Sequence, residues 1–226
     1  MTGSRVSPRL TTPVWAAFRR HSHNLLAIGY REALPRILSE PDEETDSTGY
    51  ICEALKDWFR ANPREYVGFD VHDDPHVKQA GKTGKSRPRA DIIITFTAGI
   101  RPEFCVEAKR LHRAKARASH YSDADGMGCF ISGRYASNYT EAAMIGYVQT
   151  DTLERWHGEL QERVRNEADD LKLERTEAGV VFESAFPLEW ASTHRREGRA
   201  AVRVFHILLD CRKLNNEQEN NICHRD

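Results

Sequence analysis

The chain lacks the features that would assign it to a special class. Its five cysteines, Cys52, Cys105, Cys129, Cys211 and Cys223, are scattered and odd in number, and none forms a Cys-x-x-Cys pair. That argues against a structural zinc site and a disulfide scaffold, and points to reduced thiols in a cytoplasmic protein. No apolar run approaches the roughly 20 residues that span a bilayer. The first residues lack the apolar core of a signal peptide, so neither membrane insertion nor export is expected. Neither sign of charge dominates, since 33 Lys and Arg oppose 34 Asp and Glu for a net charge of -1. Without a global basic surplus, affinity for a polyanion must rest on local clusters. There is no internal repeat.

At 226 residues the chain suffices for one substantial core but not for a catalytic unit plus a large recognition domain. We divide it into a polar, proline-marked tail at 1–13, one domain at 14–214 and a polar tail at 215–226. Trp15, Phe18, Leu25, Leu26, Ile28, Leu34, Ile37 and Leu38 recur at mostly helical spacing, with Gly29 and Pro35 able to break or bend the run, which predicts one or two helices. His21 and His23 are two apart but have no further ligands nearby, so exposed or capping histidines are expected. Asp42, Glu43, Glu44, Asp46, Ser47 and Thr48 read as a helix start, with Ile51, Leu55, Trp58 and Phe59 forming an apolar face up to about Arg60. Seven residues back from Ile51 lies Glu44, on the buried side, whereas Glu43 falls about 100° away.

A strand is expected at 65–71, then a loop at 73–89 rich in Lys, Arg, Gly and Pro. That loop contains Gly81-Lys82-Thr83-Gly84-Lys85-Ser86, which superficially suggests a phosphate-binding P-loop. The first glycine of that motif would fall at Gln79, and the segment after Ser86 meets Pro88 and a strand instead of the helix that such a loop must open. Lys78, Lys82, Lys85, Arg87 and Arg89 are better read as a basic loop that contacts a polyanion backbone, the plain alternative being a solvated charged loop.

The stretch that organises the chain runs from residue 89 to 109. Ile92 to Phe96 is β-branched and aromatic, Gly99 and Pro102 mark a turn, and alternation resumes at Phe104, which predicts a β-hairpin. Alternation places Cys105, Glu107 and Lys109 on one face and Phe104, Val106 and Ala108 on the other. Asp91 opens the first strand, and antiparallel pairing brings its carboxylate toward Glu107. Two carboxylates held by strands beside an ammonium suit Mg²⁺, which prefers a few carboxylate oxygens plus waters. A metal-bound water is more acidic than bulk water, and a nearby lysine can orient it or counter charge on a phosphoryl group.

Asp91 followed by Glu107-x-Lys109 resembles the PD-(D/E)xK phosphodiesterase superfamily, the restriction-endonuclease-like nucleases. The resemblance covers roughly residues 42–149, and it departs from the family pattern at Ala90, where the family has proline. It implies an α/β fold, a restriction-endonuclease-like core with a central mixed sheet flanked by helices. It implies catalysis by Asp91, Glu107 and Lys109, with Mg²⁺, or Mn²⁺ in its place, held by Asp91 and Glu107. A glutamate on the preceding helix often completes the metal shell in that family, a role that falls to Glu44; an ordinary acidic first turn is the competing account. The implied activity is metal-dependent hydrolysis of a nucleic-acid phosphodiester, with DNA the expected substrate. The alternative is a nuclease-fold binding or scaffolding subunit.

Arg110, His112, Arg113, Lys115 and Arg117 form a second basic cluster, expected to be helical. Lys82, Lys85, Arg87, Arg89, Arg110 and Arg113 are therefore the candidate nucleic-acid contacts, which position a backbone without reading bases. Residues 121–139 read as a loop that could serve as a lid, 142–150 as a buried strand or short helix, and Gln149 as a satisfied polar residue at an element end. Asp151 is expected to cap an amphipathic helix with Leu153, Trp156, Leu160 and Val164 on one face. Strands are expected at 179–182 and 200–210, with an exposed basic loop around His194 between them. The small size and a weak likeness of the Met144–Gln149 stretch to nucleases of bacterial defence loci imply an antiviral defence or restriction effector that is controlled by dimerisation or by a partner protein.

Overall fold

The computed structural model describes residues 12–37, 43–77, 83, 87–98, 101–114, 118–180 and 182–212. In chain order the elements are α1 (Thr12–Ile37), α2 (Glu44–Ala61), β1 (Phe69–Asp73), β2 (Ile92–Phe96), β3 (Glu103–Leu111), α3 (Ser119–Ser122) and α4 (Gly128–Ile131). They continue with β4 (Glu141–Val148), α5 (Leu153–Asn166), β5 (Leu173–Glu177), β6 (Trp190–Arg196) and β7 (Arg199–Asp210). One seven-stranded sheet runs β1-β2-β3-β4-β7-β6-β5. The β3–β4 and β4–β7 pairs are parallel and the rest antiparallel. The fold is thus α/β, a central mixed sheet flanked by helices. Among the described residues no helix is long and apolar enough to cross a membrane.

Central β4 is buried along its whole length, as expected of a parallel strand covered on both faces. Phe104, Val106 and Ala108 of β3 face the core formed with α1 and α2. Cys105 and Leu111 face the other core, which holds the buried side chains of α3, α4 and α5. On α5, Trp156, Leu160 and Val164 are buried at helical spacing, each stabilising the fold by roughly 1.5–3 kcal/mol. Helices α1 and α2 cross closely at Gly29, where an added Cβ would stand 2.7 Å from Leu55 Cγ and 3.0 Å from the Ile51 carbonyl oxygen. Helix α1 runs unbroken past both of its expected break points, Gly29 and Pro35.

Several local expectations are corrected. The strand expected from residue 65 begins only at Phe69, because Tyr66 and Gly68 adopt positive φ in a turn. Arg110 and Leu111 continue β3 instead of starting a helix. The cap of α5 is Thr152, whose side chain accepts from the Arg155 amide, and not Asp151. No strand forms at 179–180 or at Phe182; β5 lies earlier and β6 takes the place of the expected exposed loop. In β6, His194 is fully buried, with Nε2 at 2.6 Å from Ser192 Oγ and Nδ1 at 2.7 Å from the Leu171 carbonyl. His23 is also fully buried, 2.8 Å from Glu189 Oε1, while His21 is exposed. Residues 121–139 are not an open lid: Tyr121, Met127, Phe130 and Tyr135 belong to the second core. Lys78, Lys82, Lys85, Lys115, Arg117, residues 1–11 and residues 213–226 lie outside the described residues.

Candidate active site

The expected hairpin forms, with β2 and β3 antiparallel in the register Ile92↔Val106, Ile93↔Cys105, Ile94↔Phe104. The paired register ends at Ile92↔Val106, while β3 runs on to Leu111 beside β4. The β3 amides beyond that point, on the side facing away from β4, need other acceptors, because a buried unpaired N–H is costly. Two carboxylates meet the need. Asp91 Oδ2 accepts from the Ala108 amide at 2.6 Å, and Glu44 Oε2 accepts from the Arg110 amide at 3.0 Å.

Glu44 arrives there through α2. Its N-terminus is set by a capping box between Glu43 and Asp46, and Thr48 Oγ1, one turn on, lies 2.9 Å from the buried Tyr147 hydroxyl. Tyr147 is the β4 register partner of Arg110, so docking Thr48 on Tyr147 delivers Glu44 to the Arg110 amide. Glu43 points elsewhere and pairs with the Arg110 guanidinium at 3.3 Å. The helical-wheel assignment of Glu44 to the inner side therefore holds.

Lys109 Nζ lies 2.9 Å from Glu107 Oε1 and 3.2 Å from Glu44 Oε1. Asp91, Glu107, Lys109 and Glu44, predicted from three separate segments, thus converge where β2 parts from β3. Burial pushes the Asp91 carboxyl up to about 6, against the lowering influence of the Ala108 amide and the Lys109 charge. Burial, reinforced by the Asp91 charge, pushes Glu107 up to about 8 despite the neighbouring Lys109. For Lys109, burial works against the ammonium, but the charges of Glu107 and Glu44, the Glu107 hydrogen bond and the Asp91 charge outweigh it and hold the group protonated. One ammonium therefore faces three acidic groups and does not balance them.

The fit to a divalent cation rests on Glu107. Its Oε1 takes the Lys109 bond, while Oε2 is buried with no hydrogen-bonding partner. A carboxylate oxygen left so, 5 % exposed as a residue, is an acceptor that awaits a cation or a donor. Among the described residues no group of three His, Cys, Asp or Glu side chains is arranged to hold a metal ion; Lys109 bridges Glu44 and Glu107. The donor set is hard oxygen throughout, which suits Mg²⁺ or Mn²⁺ and not a thiolate-seeking metal.

The candidate backbone-binding residues are placed less uniformly. Arg89 pairs with Asp74, and its carbonyl accepts from the Tyr135 hydroxyl. Arg113 contacts Asp151 at 2.9 Å and Glu159 at 2.5 Å, with its guanidinium 3.9 Å from the Trp156 ring centre, which anchors α5. Arg110 is tied to Glu43, and Arg87 is half-buried. Gln149 is buried, and its backbone amide donates to the Leu111 carbonyl.

The sequence did not point to Cys129 and Tyr135, which share the core on the Cys105 side of β3. Buried Tyr135 feels the charges of Glu107 and Asp91, and Cys129 those of Glu107 and Lys109. The only hint was a run of glycines and tyrosines in a stretch without strand or helix periodicity. Compared with family models, with curated proteins and with solved structures, the chain matches none.

Proposed function

We propose that this protein is a metal-dependent nuclease of the PD-(D/E)xK kind, hydrolysing nucleic-acid phosphodiester bonds, DNA first among them. The observation that carries the reading is that Lys109 bridges Glu44 and Glu107, with Asp91 fixed on the Ala108 amide between them in the chain, while Glu107 Oε2 is buried without a partner. Asp91 and Glu107 would hold the ion, with Glu44 completing its surroundings. A bound Mg²⁺ or Mn²⁺ supplies an acidified water and neutralises charge on the phosphate. Lys109, held protonated by its acidic neighbours, would orient the attacking water and oppose charge that develops on the phosphate; it would not remove a proton. The β3 amides fix Asp91 and Glu44 by hydrogen bonding, so these two carboxylates enter the reaction already oriented.

Selection of substrate is assigned to a second copy or to a partner protein of a defence or restriction system, so basal cutting by the isolated protein is weak, and robust, unregulated cutting by it would count against that part. The test is incubation of plasmid DNA and of RNA with the wild type and Glu107→Gln, in Mg²⁺, Mn²⁺ or EDTA. The expected result is cutting by the wild type with either metal, none in EDTA, and a loss of at least a hundredfold in the variant. Cutting that persists in EDTA or survives in Glu107→Gln overturns the reading.

A further inference from the structure

We propose that Tyr147 is a positioning residue for this site, acting through Thr48 on Glu44, an inference that rests on the nuclease reading. The Tyr147 hydroxyl lies 2.9 Å from Thr48 Oγ1, and Thr48 Oγ1 lies 2.9 Å from the Glu44 carbonyl oxygen. A carbonyl only accepts, so the Thr48 hydrogen goes to Glu44 and the Tyr147 hydroxyl donates to Thr48. Burial holds the Tyr147 phenol well above its ordinary value, which keeps that donor hydrogen in place. The side chain of Glu44 closes the circuit: its Oε2 accepts from the Arg110 amide at 3.0 Å, and its Oε1 lies 3.2 Å from Lys109 Nζ. Arg110 and Tyr147 are themselves register partners on the parallel strands β3 and β4. Glu44 is therefore held at both ends, its backbone from β4 and its carboxylate by β3.

Packing alone does not call for that hydroxyl. Tyr147 is fully buried in the core shared with α1 and α2, where phenylalanine would fill nearly the same space without a polar atom. Burying a hydroxyl is unfavourable unless it is hydrogen-bonded, and this one bonds to a helix side chain one turn from Glu44. The buried apolar residues of α2, Ile51, Cys52 and Leu55, begin about two turns beyond Glu44, so the first turn needs an anchor of its own. The capping box of Glu43 and Asp46 lies within that turn. It shapes the turn without fixing it to the sheet. The Glu43–Arg110 pair does reach β3, but the Glu43 side chain is 68 % exposed, and a pair of that kind holds weakly. The Thr48–Tyr147 contact is buried on both sides, and it sets where Glu44 stands beside Lys109. Displacing a group by about 1 Å can lower a rate by about a hundredfold.

The experiment measures Mn²⁺ binding by isothermal titration calorimetry, and kcat and KM for cleavage of labelled DNA and RNA oligonucleotides, with thermal unfolding followed in parallel. The full-length proteins are the wild type, Tyr147→Phe, Thr48→Val, Thr48→Ser, Glu44→Gln and the double variant Tyr147→Phe with Glu44→Gln. For Tyr147→Phe we expect kcat and Mn²⁺ affinity each to fall about tenfold, as for loss of a group that orients a metal ligand, with KM within about twofold. Thr48→Val, which keeps the shape and removes the hydroxyl, reproduces that loss. Thr48→Ser, which keeps the hydroxyl, restores most of both quantities. The double variant separates positioning from a general structural role. A residue that acts through Glu44 adds no further loss once Glu44 is changed, whereas a structural residue lowers kcat and affinity by the same factor in either background. Wild-type kcat and affinity in Tyr147→Phe, full additivity in the double variant, or wild-type behaviour of Glu44→Gln overturns the inference while leaving the nuclease reading standing. If the wild type binds Mn²⁺ without cutting, the same comparisons of affinity decide. A wild type that neither cuts nor binds Mn²⁺ overturns both.

Discussion

Lys109 keeps its proton because three acidic groups surround it, and that fixes which substitutions separate its charge from its shape. Replacing Glu44 by Gln keeps an oxygen for the Arg110 amide but removes one charge beside Lys109, while Glu43→Gln keeps an oxygen for the capping box with Asp46 and loses only the charge of its pair with Arg110. We therefore expect Glu44→Gln to slow cleavage at least tenfold and Glu43→Gln to leave it within about twofold, measured as initial rates on one oligonucleotide; surface pairs of the Glu43 type are worth ~0–1 kcal/mol. The four central residues were legible in the sequence for a simple reason. Strand alternation fixes Glu107 and Lys109 on one face, hairpin register places Asp91, and helical periodicity chooses Glu44 over Glu43. The turn at Tyr135 and Ala136 was not legible, because its path depends on Arg196, far later in the chain, and no periodicity reports such a contact.

Among the elements, the segment of α3 and α4 has the most demanding backbone. A Cβ at Gly126 would press into the carbonyl oxygens of His120 and Tyr121, which cannot move without unravelling the turn that leads into α4. Gly126→Ala is expected to lower stability by about 2–3 kcal/mol, the scale of overpacking against groups that cannot yield. Chemical denaturation would show it as a lower midpoint with an unchanged slope. Strands β2, β3 and β7 and helices α2 and α5 were foreseen because each shows a clear period of 2 or 3.6. Strand β6 was not foreseen. Its Trp-Ala-Ser-Thr-His-Arg-Arg reads as a polar loop, yet nearly all of it is buried, because its most polar side chains find partners inside the fold: Ser192 with two histidines, His194 with the Leu171 carbonyl and Arg196 with three carbonyls. Polarity in sequence signals exposure only where no partner waits in the fold.

Across the whole molecule, those buried histidines couple stability to pH. The Leu171 carbonyl can only accept, so His194 carries its hydrogen on Nδ1 and takes the Ser192 hydroxyl hydrogen at Nε2. Ser192 Oγ then accepts from His206 Nε2 at 2.7 Å, and the Tyr121 hydroxyl donates to His206 Nδ1 at 3.1 Å. Every position in this chain requires neutral rings. Burial lowers His194 to about 4, against a smaller opposing effect of the Leu171 bond, and burial likewise holds His206 well below its ordinary value. With both folded values below the unfolded value near 6.5, the unfolded chain binds more protons in that range. Stability is therefore complete above about pH 6.5 and falls as pH drops toward 4, by on the order of 3 kcal/mol for His194 alone. Thermal unfolding between pH 7.5 and 4.5 should show this fall, and His194→Gln should flatten it. The α/β architecture with its central mixed sheet was legible as a whole, since alternating strand and helix periods leave few topologies; the relay was not, because its members come from β6, β7 and α3. What most needs testing is that the convergence at the parting of β2 and β3 performs chemistry. The most direct measurement is cleavage of one labelled DNA and one RNA by the wild type and Lys109→Ala side by side in Mg²⁺ and in Mn²⁺, with circular dichroism confirming equal folding. The account predicts that the variant loses at least a hundredfold in rate; cleavage by Lys109→Ala at the wild-type rate would contradict it.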